Sequence, residues 1–210
     1  MPGPNLPSLP DFTAVLFGLS GCLVDFGARA AHLPHDSEHA LASLMDQCAA
    51  ATPGALDALC GLHRHNVTCG WLECLPEPVC ARLTTTLPHW LNGISVTPTR
   101  PWPAPEVCWQ ALAHLAVDRL EGCVLVASDI GLLQAGLAAG LWTVGLVTCG
   151  PLGGQADAWR TLEKRDQERL RAQATLQLYN VGVHSVIDDL QALDACLNDI
   201  ARRRAKGEKP

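Results

Sequence analysis

Asp25, Ser128 and Asp129 each follow a short apolar run, where a carboxylate or hydroxyl can do chemistry. A carboxylate there can attack an electrophile or help to hold a divalent cation. Asp25 lies seven residues beyond the end of its run at Gly18, which fits a loop-capping group better than a nucleophile. Asp129 fits helix N-capping better than metal binding, and Ser128 is the other capping candidate. His32, His35 and His39 could line one helix face, and Cys60, His63, His65 and Cys69 are of zinc-ligand type. Zinc needs ligands that converge tetrahedrally. Cys60 to His65 close a predicted helix while Cys69 falls in a predicted strand, which disfavours convergence.

These residues need a frame. Thr13 to Phe17, Val67 to Leu72, Gly93 to Val96, Cys123 to Val126, Trp142 to Val147 and Val183 to Ile187 read as strands. Most are apolar throughout, as expected of a parallel sheet covered on both faces. Helices are predicted over His32 to Asp46, from Pro53 to about Asn66 with Thr52 as N-cap, and over Pro78 to Leu87 and Glu106 to Val117. Others are predicted over Ile130 to Ala139 with Gly140 as C′ glycine, over Asp157 to Tyr179, and over Leu190 to Arg203. Strands alternating with helices mean an α/β fold. Residues 1–11 read as a loose Pro-rich arm, 12–205 as a single domain and 206–210 as a solvated tail.

Composition narrows the function. The chain has 210 residues, 48% apolar and 17% charged, enough to build a core and too few charges for disorder. Net charge is −6, which argues against a dedicated nucleic-acid binder. No apolar run reaches the roughly 18 residues that span a bilayer, and Met1 to Asp11 lacks the basic start of a signal peptide. A cytoplasmic location without membrane partners is the resulting expectation. Ten cysteines are scattered with no CxxC pair, so they read as reduced, mostly buried thiols. Only Lys164, Lys206 and Lys209 are lysines, so residues 1–163 contain none.

Two segments then take on meaning together, Leu16-Phe17-Gly18-Leu19-Ser20-Gly21-Cys22-Leu23-Val24-Asp25-Phe26-Gly27 and Gly136-Leu137-Ala138-Ala139-Gly140-Leu141-Trp142-Thr143-Val144-Gly145-Leu146. With Leu178-Tyr179, Gly182, His184, Val186-Ile187-Asp188 and the ending Ala205 to Pro210, they resemble the phosphonoacetaldehyde hydrolase (phosphonatase) branch of the haloacid dehalogenase superfamily. The resemblance implies a three-layer Rossmann-like sandwich around a parallel sheet. It implies a helical cap domain through which relatives pair. It also implies cleavage of a carbon–phosphorus bond by a nucleophilic aspartate, a cap lysine that forms a Schiff base, a Ser/Thr and a basic group on the phosphoryl oxygens, and Mg²⁺.

Carried over position by position, the nucleophile falls on Gly18 and the second position of that motif, two residues on, falls on Ser20. The phosphate-holding Ser/Thr falls on Glu73, and the basic position on Trp102, with Arg100 the only nearby cation. The metal carboxylates fall on Ala127 and Ser128, with Asp129 one step displaced. The cap shrinks to about residues 28–52, and no lysine stands where the Schiff base needs one. Trp102 and Trp109 are expected to fill space left by the missing groups.

The sequence therefore predicts a relative with a vestigial cap and no conventional catalytic residues, no Mg²⁺ or other cofactor, and a binding, regulatory or partner role linked to phosphonate use. The alternative is an active hydrolase working through Asp25, Arg100, Asp129 or other atypical residues. With so little cap, the chain should be a monomer or pair through another face, residues 32–51 and 157–179 being the candidates.

Overall fold

The computed structural model describes residues 12–30, 50–95 and 103–210. The arm 1–11, most of the reduced cap with His32, His35 and His39, and residues 96–102 with Arg100 and Trp102 lie outside the described residues.

Six strands form one sheet: β1 Ala14–Gly18, β2 Thr68–Glu73, β3 Asn92–Ser95, β4 Cys123–Ala127, β5 Trp142–Leu146 and β6 Ser185–Ile187. Their order is β3-β2-β1-β4-β5-β6, and every neighbouring pair is parallel. Every residue of β1, β4 and β5 is buried, which is why these segments are apolar without alternation. The helices are α1 Gly27–Ala30, α2 Ala55–Arg64, α3 Glu77–Leu83, α4 Glu106–His114, α5 Ile130–Ala138, α6 Ala156–Thr161, α7 Lys164–Val181 and α8 Leu193–Ala205.

The period of two along each strand divides the core. Val15, Phe17, Val124, Val126, Val144 and Leu146 face one side, with Leu59 and Leu62 of α2 and Leu197 and Ile200 of α8. Ala14, Leu16, Leu125 and Ala127 face the other, with Leu112 of α4, Leu132 and Leu133 of α5 and Leu178 of α7. The result is the expected α/β three-layer sandwich. Seven of the nine described cysteines are buried and all nine are free thiols. Burial pushes the Cys69 and Cys108 thiols up to about 12, so they pack as small protonated hydrophobes. Among the described residues no helix is long and apolar enough to cross a membrane.

Local chemistry shifts several predicted boundaries. Thr52 does not cap α2: its hydroxyl donates to the Cys22 carbonyl, and the helix starts after Gly54 at φ 79°. The predicted helix to Leu87 ends at Leu83 and tightens into a 3₁₀ turn, 84–86, where the Thr84 and Thr85 hydroxyls bond back to Cys80 and Arg82. The stretch 157–179 is two helices, because Leu162 and Glu163 are extended at ψ 147° and 146°. The Gln167 amide secures that break by donating to the Trp159 and Leu162 carbonyls at 2.8 and 3.3 Å. The last helix begins as a 3₁₀ turn, 190–192, capped by Asp189.

Leu125 has no exposed surface, whereas Leu176 on α7 is 63% exposed. Leu125→Ala should lower the unfolding free energy by about 2–5 kcal/mol, and Leu176→Ala should change it by less than about 0.5 kcal/mol. Urea denaturation of the two variants measures both values.

Candidate functional site

In an open parallel sheet, ligands bind beyond the carboxyl ends of the strands, at the point where strand order reverses. Here the order reverses between β1 and β4. Gly18 ends β1, Glu73 ends β2 and Ala127 ends β4, so the three matched positions do share that edge. The register pairs Gly18 with Leu72, which sets Glu73 beside the loop leaving β1.

Gly18 is fully packed. A Cβ on it would lie 3.2 Å from Leu132 Cδ2 and 3.4 Å from Ala127 Cβ. The place of a nucleophile thus faces one apolar side chain of α5 and one methyl group.

Glu73 is the polar centre of the edge and only 7% exposed. Its Oε2 accepts the Ser20 N–H at 2.9 Å, and its Oε1 accepts the Cys74 N–H at 2.8 Å. Burial pushes its carboxyl above the usual range; the hydrogen bonds from Ser20 and Cys74 oppose that, and the negative charge of Asp129 adds to it. The Ser20 hydroxyl oxygen is buried beside this carboxyl, and its interaction with the carboxyl favours the charged form.

The other carboxylates at this edge also accept backbone N–H groups. Asp129 caps α5 through Oδ1 and the Leu132 N–H at 2.8 Å. Burial raises its carboxyl too, against the Leu132 and Gly131 N–H groups. Asp25 Oδ2 accepts the Ala156 N–H at 3.0 Å, so it caps the start of α6, a contact 131 residues away in sequence. Ser128 is 1% exposed, and its hydroxyl donates to the Ser20 carbonyl at 3.5 Å.

The loops after β1, β4 and β5 touch directly. Gly21 has φ +75°, and a Cβ on it would stand 2.5 Å from Ser128 Oγ and 2.7 Å from the Cys149 carbonyl. A Cβ on Gly150 would stand 2.3 Å from Ser128 Cβ. Sequence reasoning passed over this third loop, although the run Gly150-Pro151-Leu152-Gly153-Gly154 marks a tight, closely packed segment. It also passed over the pairing of Ser20 with Glu73, for which the sequence holds no signal.

The donor set does not suit the Mg²⁺ that the fold family implies. Gly18 and Ala127 offer no side-chain oxygen, and Asp129 is engaged with its own helix. Among the described residues no three His, Cys, Asp or Glu side chains group to hold a metal. The zinc-type residues scatter: Cys60 is exposed, His63 stacks on Trp90 at 4.2 Å, and buried Cys69 directs Sγ at the Val67 carbonyl. Trp109 does not fill the edge as expected. It is 46% exposed, and its Nε1 donates to the Ala139 carbonyl beyond the far end of α5, because α4 turns that face outward.

The raised Glu73 carboxyl carries a pH signature. The fold favours its protonated form, so that contribution to stability is full below its ordinary value of 4.5 and is lost as pH rises through the raised value. Glu73→Gln does not titrate there. The stability of the wild type minus that of Glu73→Gln should therefore fall as pH rises from about 4 to neutrality, the repulsion between Glu73 and Asp129 adding to the fall. Urea midpoints across that range measure it, and a difference that grows with pH contradicts the assignment.

No family model matches the chain. Among curated proteins it is 30% identical over 219 residues to the phosphonoacetaldehyde hydrolase of Salmonella agona, covering 98% of this chain and 78% of that one. It is 29% identical to the same enzyme of Salmonella typhimurium over 98% and 78% of the two chains. A solved structure that is 50% identical matches 95% of this chain and all of its own, with a TM-score of 0.85. At the level of fold alone, a phosphonoacetaldehyde hydrolase-like protein from Oleispira antarctica gives a TM-score of 0.81 at 21% identity, with all of both chains covered. A haloacid dehalogenase family hydrolase from Deinococcus radiodurans gives 0.62 at 20% identity over 91% of this chain and 96% of its own. The chain, with its haloacid dehalogenase-like fold, belongs to the phosphonoacetaldehyde hydrolase family.

Proposed function

We propose that this chain is a non-catalytic member of its family that acts by binding, as a regulatory or partner protein linked to phosphonate use. The carrying observation is Gly18, a residue without a side chain at the nucleophile position, with the direction of that side chain filled by Leu132 and Ala127. Around it, every candidate carboxylate already accepts a backbone N–H: Asp25 from Ala156, Glu73 from Ser20 and Cys74, Asp129 from Leu132. The anionic edge also opposes a phosphonate, since a like charge in a partly buried site costs binding energy.

A second reading has one observation in its favour. Glu73 and Asp129 both have raised carboxyls at the ligand-binding edge, and perturbed groups concentrate at active sites. An active hydrolase would work through one of these two.

Activity assays separate the readings. Purified protein should not cleave phosphonoacetaldehyde above background, and Mg²⁺ should leave its melting temperature unchanged. A cation at a hundredfold excess over its Kd would add about 2.7 kcal/mol and be seen. Borohydride with the aldehyde should trap no adduct within residues 1–163, which hold no lysine. Gly18→Asp should restore no activity and lower stability by at least about 2 kcal/mol, because it sets a carboxylate against Leu132. Turnover by the wild type that is lost in Glu73→Gln or Asp129→Asn would establish the second reading.

A further inference from the structure

We propose that His184 is a pH-sensitive latch: its neutral imidazole keeps the C-terminal tail folded against the amino edge of the sheet, and its protonation releases that tail from a cavity there. The latch lies at the opposite end of the strands from Glu73 and is independent of the reading of that edge. The ring is fixed by β5. His184 Nδ1 accepts the Thr143 N–H at 3.0 Å and stands 2.9 Å from Thr143 Oγ1. The His184 N–H in turn donates to the Thr143 carbonyl at 3.1 Å. These bonds add one rung to the β5–β6 ladder, before the pair Val144 and Ser185. A ring nitrogen that accepts an N–H carries no proton, so the imidazole is neutral with its proton on Nε2.

Arg203 of α8 connects this ring to the tail. Its Nη1 donates to the His184 carbonyl at 2.9 Å, and its guanidinium lies 4.9 Å from the Trp142 ring centroid. Trp142 also meets the His184 ring, at 4.8 Å. Arg203 Nε then binds the Glu208 carboxylate at 2.8 Å. Gly207 at φ +86° and the Glu208 N–H, which donates to the Arg203 carbonyl at 3.1 Å, turn the chain back on α8. Held in this way, residues 207–210 wall one side of a cavity of about 440 Å³, with Leu120, Gly140 and Trp142 on the other.

Protonation breaks the latch twice. An Nδ1–H would face the Thr143 N–H, and Thr143 has no exposed surface, so that donor would lose its acceptor away from water. The imidazolium would also repel the Arg203 guanidinium, which faces it from α8. Glu208 is engaged with Arg203, and Asp199 of α8 is exposed and acts on Cys196. From β5 the ring meets only uncharged Thr143 and Trp142, and α7 ends in uncharged Tyr179, Asn180 and Val181. Burial first, and Arg203 second, hold the imidazole below its ordinary value of 6.5. The stabilisation is therefore full above 6.5 and is lost as pH falls through the lowered value.

The test follows the full chain by nitrogen-15 spectra as pH falls from neutrality to below the His184 midpoint. The ring should show the Nε2–H tautomer at neutral pH and a midpoint below 6.5, and the Gly207, Glu208 and Lys209 amides should shift with that same midpoint. His184→Asn keeps an acceptor for the Thr143 N–H and cannot titrate, so the three amides should lose that step, while any step from Glu208 itself remains. Glu208→Ala cuts the tail from Arg203 and should leave His184 titrating without a step at Lys209. An Nδ1–H tautomer, a midpoint at or above 6.5, tail amides that ignore the His184 step, or a step that persists in His184→Asn each overturns the proposal. If His184→Asn does not fold, Glu208→Ala decides, and a Lys209 amide that still follows His184 in it overturns the proposal. None of these readouts is turnover or involves the Glu73 edge, so this inference and the non-catalytic reading fail separately.

Discussion

All six strands end on the same edge of this sheet, and the backbone groups exposed there must find partners. In a parallel sheet the loops leaving those ends cannot pair with one another as hairpins do, so N–H groups point into the crevice with nothing to receive them. An enzyme of this architecture can leave that task to ligand and metal. In this chain, side-chain carboxylates perform it. Glu73 receives Ser20 and Cys74, Asp129 receives Leu132, and Asp25 receives Ala156. Each bond costs the desolvation of a carboxylate, which is why Glu73 and Asp129 are pushed up, and each relieves a buried or capping N–H.

The apolar packing beneath the edge follows the same logic. With no side chain at Gly18, Leu132 and Ala127 approach the end of β1, and the core continues to the last residue of the strand. Small residues above it, Gly21, Ser128 and Gly150, let three loops touch. A well-packed interior has few voids, so a missing functional side chain is met by closer approach of its neighbours rather than by empty space. The buried thiols Cys22 and Cys149 belong to the same packing.

Membership of a hydrolase family and the chemistry of this edge are therefore separate findings. Family membership rests on 30% identity over nearly the whole chain and on the fold. The edge is a property of particular side chains, and fold alone does not assign an activity.

The sequence by itself determined the strands, because continuous apolar runs bounded by polar and glycine-rich segments are local patterns. It also determined which chemical groups are missing: Gly18 has no carboxylate and residues 1–163 have no lysine whatever the fold does. Asp129 as an N-cap was legible for the same reason, since donor and acceptor lie three residues apart. Only the tertiary structure decided what Glu73 and Asp25 do. Their partners are 53 and 131 residues away and are set by strand register and loop packing, which no local pattern encodes. It likewise decided that residues 157–179 break at Leu162 and Glu163 and that Trp109 faces outward, because both follow from how α4, α6 and α7 lie against their neighbours rather than from helical propensity.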